Sequence, residues 1–528
     1  MHAPLRSTRI PAGPHRPAGP SHRRRSLAAL AAAVIAAPLI LTAAASPATA
    51  TGDGSADAAT SVRGNPAKDG EQLAKKLVRR TGAKGAMRHL KALQAIAQRS
   101  DGNRAAGSPG HDRSAKYAGA LLKEAGYDVT YQNFDFTYVE TLAEKLTVRT
   151  PDPGEVPIKL MTYTKSTPEG GTEAAVTAVP ADADGSTGCT AADYASGDFD
   201  GRIALIRRGG CTFADKQAAA ADAGAVAAIV YNNVDGDLNG TIGDPAAGRI
   251  PTGGVSMADG EAMAADVEAG EVTVNLELRE FQEERSTPNV IAETPGGDAR
   301  NVVMLGAHLD SVSAGPGIND NGSGSAGIVE TALQFAAAGG TDHGNGHDGK
   351  ARNKVRFALW TAEELGLLGS EHYVSRLSAA DRDDIALYLN FDMIASPNYG
   401  LFAYDGDDSD GVGAGPGPEG SAQLEKDITD FVSSRGEEMR GTDFTGRSDY
   451  GPFIEAGIPA GGTFTGGDGI KTEAHRELWG GTADAAYDGC YHMACDDLDN
   501  IDKKAFDVNV KVMANAVGRY AHDVSTLP

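Results

Sequence analysis

Apolar positions recur at helical spacing over residues 71–125, which predicts amphipathic helices. These positions are Leu73, Leu77, Leu90, Leu93, Ile96, Tyr117, Leu121 and Leu122. Gly126 follows the last of them and is expected to end that helix, because glycine is the usual residue just beyond a helix C-terminus. A strand is predicted next, over residues 127–136. We treat residues 71–141 as the first part of the main domain.

Residues 142–282 have a different pattern, in which short β-like runs alternate with turns rich in Gly, Asp and Thr. The clearest piece runs from Gly201 to Tyr231 and predicts a strand, a turn, an amphipathic helix and a second strand within a mostly β module. This piece, with its Arg208-Gly-Gly-Cys-Thr-Phe213 turn, resembles the protease-associated domain. The resemblance implies a non-catalytic lid or substrate-handling surface inserted into the main domain. A generic insertion is the alternative.

Strand-like and helix-like segments alternate in the remainder, residues 283–528. The predicted strands are 290–293, 302–307, 355–360, 385–391 and 458–464, and the predicted helices are 323–338, 365–377, 422–435 and 506–522. Such alternation predicts an α/β fold, with a mixed, largely parallel sheet flanked by helices on both faces. Ligands of such sheets bind at the carboxyl ends of the strands.

The first 50 residues indicate export. They contain no acidic residue, and Arg23-Arg24-Arg25 precedes an apolar run from Leu27 to Ala45 and then Ala48-Thr49-Ala50. This order is typical of a removable signal peptide, by the general or the twin-arginine route, with a membrane anchor as the alternative. Residues 51–70, rich in Gly, Ala and Asp, predict a flexible leader or short pro-segment.

Removing that signal makes the charge strongly negative. The 528-residue chain has 48 Lys and Arg against 72 Asp and Glu, and residues 1–50 hold six of the arginines, so the mature chain has 42 against 72, a net charge of −30. Such a surface repels phosphate backbones, so we expect no nucleic-acid partner. No second long apolar run follows, so we expect a monomeric exoprotein that is not membrane-bound. The acidity also allows a calcium site, which the sequence does not place.

The four cysteines are expected to form disulfides, because their number is even and the chain is predicted to be exported. Three connectivities exist, and we expect the two local pairs, Cys189 with Cys211 and Cys490 with Cys495. A zinc cluster is not favoured, since no two cysteines have the C-x-x-C spacing.

Polar residues at predicted strand ends and in nearby loops suggest a metal site. They are His308 and Asp310, Asp320, Glu363 and Glu364, Asp392, and His492. Imidazole and carboxylate ligands suit zinc, with manganese or cobalt as substitutes. A single catalytic zinc takes three protein ligands, so five good candidates fit two ions if one carboxylate bridges. Of the adjacent glutamates, one can bind metal while the other acts as general base.

Several motifs resemble those of the secreted bacterial di-zinc aminopeptidases of the leucyl aminopeptidase type. Glutamate carboxypeptidase and the transferrin-receptor ectodomains are more distant relatives of this family. The motifs are Gly306-Ala-His-Leu-Asp-Ser311, Gly317-Ile-Asn-Asp-Asn-Gly-Ser-Gly324, Glu363-Glu-Leu-Gly-Leu-Leu-Gly-Ser370, Asn390-Phe-Asp-Met393, Arg447-Ser-Asp449 and Tyr491-His492. The resemblance covers residues 71–141 and 284–528, and it implies a zinc-exopeptidase fold. It also implies that the substrates are peptides with a free N-terminus and that the enzyme cleaves after a Leu-like first residue.

The resemblance also implies roles for individual residues. His308 and Asp392 would hold one zinc, Glu364 and His492 the other, and Asp320 would bridge. Asp310 would orient His308, Glu363 would be the general base, Tyr491 would donate to the oxyanion, and Arg447 would position the substrate. The Cys490–Cys495 bridge would stiffen the loop that carries His492.

Other interpretations stay open at this stage. Asp310 is also suited to a helix cap, and Glu363-Glu364 to the acidic first turn of a helix. Tyr491 would alternatively pack, and Arg447 would pair with Asp449. The competing functions are a carboxypeptidase or other amide hydrolase on the same fold, and a non-catalytic receptor-like ectodomain. His475 and Trp479, near a Gly-rich loop, are candidates for the pocket wall.

Overall fold

The computed structural model describes residues 64–181, 185–342, 351–413 and 415–527. The signal predicted over residues 1–50 lies outside the described residues, as does most of the predicted leader. The first helix begins at Pro66, so the end of the 51–70 stretch is helical rather than flexible. Asn65 caps this helix by accepting a hydrogen bond from the backbone N–H of Lys68 (3.3 Å), and proline suits the first helical position.

The secondary structure agrees closely with the predicted alternation after residue 283. The described helices are α1 (Pro66–Arg80), α2 (Ala83–Ala97), α3 (Pro109–Glu124), α4 (Phe213–Asp222), α5 (Met257–Ala269), α6 (Gly324–Ala336), α7 (Leu368–Ser375), α8 (Ala379–Asp383), α9 (Ser421–Ser433), α10 (Gly451–Glu455), α11 (Glu473–Trp479) and α12 (Lys503–Tyr520). The described strands are β1 (Asp128–Thr150), β2 (Gly154–Val156), β3 (Lys159–Leu160), β4 (Thr172–Ala178), β5 (Ile203–Arg207), β6 (Ala227–Tyr231), β7 (Thr252–Val255), β8 (Thr273–Glu293), β9 (Asp298–His308), β10 (Asn353–Trp360), β11 (Ile385–Phe391), β12 (Phe402–Tyr404), β13 (Arg440–Thr442) and β14 (Ala460–Phe464). None of the described helices is both long and apolar enough to cross a bilayer.

The strands form one mixed sheet in the order β13-β12-β14-β11-β9-β10-β8-β4-β5-β6-β7-β3, with β1 and β2 paired beyond this path. Its centre is parallel, because β10, β9, β11 and β14 run in one direction, whereas β8 and β12 pair antiparallel with their neighbours β10 and β14. The prediction of a mixed, largely parallel sheet is therefore confirmed for the main domain.

Helices cover both faces of this parallel centre, as predicted. Side chains alternate across a strand, so successive residues of β9 enter two different cores. Val303 and Leu305 pack with the buried faces of α1, α2, α6 and α12. Val302 and Met304 pack on the opposite face, with residues of α7 and α10. The strands are apolar on both faces, as expected for buried parallel strands.

A long two-stranded ribbon joins the inserted module to the main domain. β1 and β8 pair antiparallel from Asp128 opposite Glu293 to Thr150 opposite Thr273. At one end β8 pairs with β10 of the main sheet, and at the other it pairs with β4 of the insert. The strand predicted to end at residue 136 thus continues to Thr150. The domain limits predicted at 141/142 and 282/283 fall within continuous strands.

The insert contains the predicted strand–helix–strand unit. β5, α4 and β6 occupy the expected positions, and β5 and β6 pair in parallel. Thr212 begins α4 with a capping box, in which its side chain and that of Asp215 satisfy each other's backbone N–H groups. Cys189 and Cys211 form the predicted disulfide within this module.

Candidate active site

Three of the predicted site segments lie side by side at the carboxyl edge of the sheet. His308 is the last residue of β9, Glu363 and Glu364 lie in the turn after β10, and Asp392 directly follows β11. β10 and β11 flank β9 in parallel, so their carboxyl ends meet at the same edge. The expectation that strand ends bring these residues together is confirmed.

Asp320 reaches the same edge from the irregular turn Ile318–Ser323, and its peptide bond to Asn321 is cis. The Asn321 side chain fastens this turn to the end of β11. Its Nδ2 donates to the carbonyl of Phe391 (2.9 Å), and its Oδ1 accepts from the backbone N–H of Met393 (3.2 Å). Asp320 is thereby placed next to the strand-end residues although it belongs to a loop.

The two oxygens of Asp320 face two different histidines. Oδ1 lies 3.3 Å from His308 Nε2, and Oδ2 lies 3.2 Å from His492 Nε2. His308 Nε2 is also 3.4 Å from Asp392 Oδ1, and His492 Nε2 is 2.9 Å from Glu364 Oε2. Two groups of three potential ligands therefore share Asp320, and the donor atoms within each group lie within 4.8 Å of one another.

This arrangement fits divalent cations. Asp392 Oδ1 and Glu364 Oε1 are buried and have no hydrogen-bond partner among the residues that the structure describes. Leaving carboxylate oxygens unpaired away from water is costly, and a cation offsets that cost. Burial and the negative charge of Asp320 raise the pKa of Glu364 to about 7 in the metal-free chain. Imidazole and carboxylate donors are those that zinc accepts, so these residues could hold it.

Asp310 lies behind His308 and touches the turn that carries the two glutamates. Its Oδ1 is 3.5 Å from His308 Nδ1, and its carboxylate accepts the backbone N–H groups of Glu363 and Glu364 at 3.4 Å each. Asp310 is fully buried. It contacts the His308 ring and the backbone of the turn rather than capping a helix, and this position suits the orientation of the His308 ring.

Glu363 faces the cavity in front of the two groups. Its Oε2 lies 3.8 Å from His308 Nε2. Burial, together with the negative charges of Asp392 and Asp449, raises the pKa of its carboxyl well above the ordinary value, against the opposing effect of His308. The helix α7 begins only at Leu368, because the chain passes through left-handed conformations at Gly366 and Leu367. The first-turn interpretation of Glu363-Glu364 is therefore wrong, as is the predicted helix start at residue 365.

Tyr491 and His492 lie in the short loop closed by the predicted Cys490–Cys495 disulfide. Their rings are stacked with centroids 3.8 Å apart, and both residues line the cavity. Burial and the nearby carboxylate of Asp320 raise the pKa of Tyr491, so its hydroxyl stays protonated and able to donate. The pKa of His492 is raised to about 10, since hydrogen bonds to Asp320 and Glu364 outweigh the effect of burial.

The cavity has a volume of about 360 Å³ and is lined by carboxylates and His492 as well as by an apolar wall. Met393, Phe402, Phe464 and Tyr487 supply much of that wall. Arg447 is exposed and lines the cavity, whereas Asp449 is fully buried, and no ion pair joins the two in the described part of the chain.

His475 and Trp479 support this wall from behind. His475 Nδ1 is 2.5 Å from the hydroxyl of Tyr487, and both His475 and Trp479 contact the ring of Phe402. They are not among the lining residues. Phe402 and Tyr487 were not identified as pocket residues from the sequence. Single aromatic residues in loops or short strands form no periodic pattern that would indicate a pocket wall.

A network of buried polar side chains was also missed. Asp496 accepts the backbone N–H groups of Asn319 (2.7 Å) and Asp320 (3.0 Å). Asn500 Nδ2 donates to both Asp496 and Asp488, and Asn319 Nδ2 donates to Asp488 (2.6 Å). In the sequence, Asp496 belongs to an acidic run after Cys495, which is a pattern typical of a solvated surface.

A third acidic group consists of Asp405, Asp407 and Glu425. Its carboxylates accept backbone N–H groups of their own loop: Asp405 from Ser409 and Asp410, and Glu425 from Gly406 and Asp407. These carboxylates lie close together because they stabilise the loop by accepting its backbone N–H groups, and we assign no ion to them.

Comparison with known proteins places this site in a family. Residues 289–517 match the model of peptidase family M28, and residues 173–263 match that of the PA domain. The chain is 44% identical over 429 residues to a probable leucine aminopeptidase 2 of Aspergillus oryzae, covering 81% of this chain and 82% of that protein. It is 43% identical to a probable lipoprotein aminopeptidase of Mycobacterium tuberculosis, covering 83% and 85%. The chain belongs to peptidase family M28.

Solved structures agree with this assignment. An aminopeptidase from Aneurinibacillus sp. strain AM-1 superposes with a TM-score of 0.64 at 28% identity, covering 84% of this chain and 95% of that one. A zinc aminopeptidase from Bacillus subtilis gives a TM-score of 0.54 at 25% identity, covering 83% and 94%. This M28 protein is a zinc metallo-aminopeptidase with an inserted PA domain, and its substrates are peptides. The carboxypeptidase and receptor-like alternatives find no support.

Proposed function

We propose that the protein removes a large apolar residue, such as leucine, from the free N-terminus of peptides. The observation that carries this proposal is the cavity itself, which combines several buried carboxylates with an apolar, aromatic wall. The carboxylates suit the ammonium group of a peptide N-terminus, and the wall suits an apolar first side chain. A leucine aminopeptidase among the relatives supports the same preference.

Two zinc ions per chain are part of the proposal. His308 and Asp392 would hold one, Glu364 and His492 the other, and Asp320 would contact both through its separate oxygens. When bound, zinc polarises the scissile carbonyl and lowers the pKa of a water molecule. Because one chain supplies all five ligands, we propose that the monomer is active. We also propose that it has no membrane partner and no nucleic-acid partner, the latter because its surplus of acidic residues repels phosphate backbones.

Glu363 is proposed as the general base. Its carboxylate would accept a proton from the attacking water and deliver it to the leaving amine nitrogen. Its raised pKa in the metal-free chain reflects burial and surplus negative charge, which nearby cations would counteract. Tyr491 would donate a hydrogen bond to the carbonyl oxygen as it gains negative charge. Arg447 would help to position the substrate, and Asp310 would hold the His308 ring in place.

We also propose that the protein is exported and that its signal is removed near Ala50. The amino-terminal pattern of charged, apolar and small residues supports export. The two disulfides support it as well, because such bonds persist in oxidising compartments.

The test of the proposed function is a panel of amino-acid p-nitroanilides with free and acetylated amino groups. We expect Leu and Phe derivatives to be hydrolysed fastest, and their N-acetylated forms not at all. Cleavage of the acetylated forms at comparable rates would contradict recognition of a free N-terminus. A preference for acidic or basic first residues would contradict the apolar pocket.

A further inference from the structure

Glu364 lines a second cavity in addition to the substrate pocket. This second cavity is larger, about 920 Å³ against about 360 Å³. It lies between the loops that follow β9 and β10 and the middle of the β1–β8 ribbon, and we call it the ribbon groove. One wall is formed by residues 311–314 after β9, and another by residues between Ser100 and Pro109, the first residue of α3. The ribbon contributes Tyr138–Thr141, Glu283 and Arg285.

Hydrogen bonds join two walls of the ribbon groove to each other. Asn103 Nδ2 donates to the carbonyl of Ser313 (3.2 Å), and the backbone N–H of Arg104 donates to Ser311 Oγ (3.0 Å). On the ribbon side, the guanidinium carbon of Arg285 lies 3.5 Å from the ring centroid of Tyr138. The groove is therefore bounded by side chains that are held by partners of their own.

The charge of the ribbon groove outside the catalytic residues is negative. Arg285 forms an ion pair with Glu283 (2.8 Å), so these two charges cancel. Asp101 and Glu140 are exposed carboxylates in the lining, and neither forms an ion pair within the described ranges. A ligand in the groove meets two uncompensated negative charges.

An aminopeptidase holds one residue before the scissile bond, and the rest of the peptide must leave by another path. The aromatic-walled pocket suits that one residue, whereas the ribbon groove is large, polar and adjacent to the same Glu364. We propose that the ribbon groove binds the substrate residues after the scissile bond and that Asp101 and Glu140 make it favour basic residues there. This inference rests on the proposed removal of an apolar first residue, and it gives the ribbon that carries the insert a part in selecting substrates.

The test compares amidated peptides that share a first leucine: Leu-Lys-Lys-Ala, Leu-Ala-Ala-Ala and Leu-Glu-Glu-Ala. An exposed charge pair contributes modestly, so two such contacts should make kcat/KM for the lysine peptide about tenfold that for the glutamate peptide. Salt should reduce this ratio, because it screens exposed charges. In the double variant Asp101→Asn, Glu140→Gln, the ratio should fall to about twofold, with hydrolysis of Leu-p-nitroanilide unchanged.

The matched control is Glu271→Gln, which removes an exposed carboxylate of the insert outside the groove. It should keep the wild-type ratio. Equal cleavage of the three peptides by the wild-type protein would overturn the inference, and so would a ratio that the double variant leaves unchanged. If Leu-p-nitroanilide itself is not cleaved, the proposed removal of an N-terminal leucine fails first. The unchanged anilide rate also shows that the double variant is folded.

Discussion

Asp496 holds the backbone of Asp320 in place, because its carboxylate accepts the N–H groups of Asn319 and Asp320 at 2.7 and 3.0 Å. It directly follows Cys495, the last residue of the loop that carries His492. The loop of Asp320 and the loop of His492 are therefore joined through one buried side chain. Their relative position decides whether Asp320 and His492 can share an ion.

The first prediction tests this connection with Asp496→Asn. The two N–H groups bind different oxygens of Asp496, and the amide group keeps the size of the side chain but replaces one of these oxygens by a donor, so one of the two hydrogen bonds is lost. We expect zinc affinity to fall about 10–100-fold, with activity largely restored at high zinc concentration. Competition with a chelator of known affinity measures the change. The control is the exposed neighbour Asp499→Asn, which should bind zinc normally. Equal affinities in the two variants would refute the role of Asp496.

The second prediction concerns Glu363→Gln. Glu363 lines the cavity but belongs to neither group of proposed metal ligands, so the variant should retain its zinc. Loss of the general base should lower kcat by about 10²–10⁴. Elemental analysis and steady-state kinetics on the same preparation separate the two effects. Glu371→Gln, an exposed residue of α7, provides a matched control. A variant of Glu363 with full activity would rule out its proposed role.

The sequence could predict the parts of this site that depend on strand ends. His308, Glu363 and Asp392 each follow a run of apolar residues, and parallel strands place such positions at one edge. The role of Asp496 could not be predicted in this way. Its partners are backbone N–H groups of residues 319 and 320, and a contact so distant along the chain leaves no local pattern of side chains.

The same distinction applies to the fold. β11 and the buried part of β9 were predicted closely, because both are continuous apolar runs, whereas the exposed or half-buried residues 298–301 at the start of β9 were not predicted. β1 was predicted to end at residue 136, although it continues to Thr150. Its later part is largely exposed or half-buried and is held by pairing with β8, so its own residues indicate a strand only weakly.

The third prediction separates the two proposed zinc ions. The wild-type protein should contain two equivalents of zinc, and a chelator should abolish its activity. His308→Ala and His492→Ala each remove a ligand from one group only, so each variant should retain about one tightly bound equivalent. Asp320→Ala should weaken both sites, because Asp320 belongs to both groups. The control is His372→Ala, because the His372 ring stacks on Phe134 and belongs to neither metal group. This variant should retain two equivalents of zinc. One equivalent in the wild type would contradict the shared-ligand arrangement.

The last prediction addresses the apolar pocket through Gly467, which lines it beside Met393 and Phe464. A Cβ at this position would lie 3.6 Å from Met393 Sδ and 3.8 Å from Phe464 Cζ, which are ordinary contacts, so Gly467→Ala should fold normally. The added methyl group occupies space that a leucine side chain would use. One methylene in such a pocket changes discrimination by about 1–3 kcal/mol, so the ratio of kcat/KM for Leu- over Ala-p-nitroanilide should fall about tenfold or more.

The control for Gly467→Ala is Gly270→Ala, which lies outside the pocket lining and where an added Cβ meets no atom of the described residues within 4 Å. Thermal unfolding of both variants checks that neither loses stability. If Gly467→Ala lowers activity on the leucine and alanine substrates by the same factor, the methyl group acts on the catalytic loops rather than on side-chain selection. If neither rate changes, the first side chain of the substrate binds elsewhere than against Met393 and Phe464.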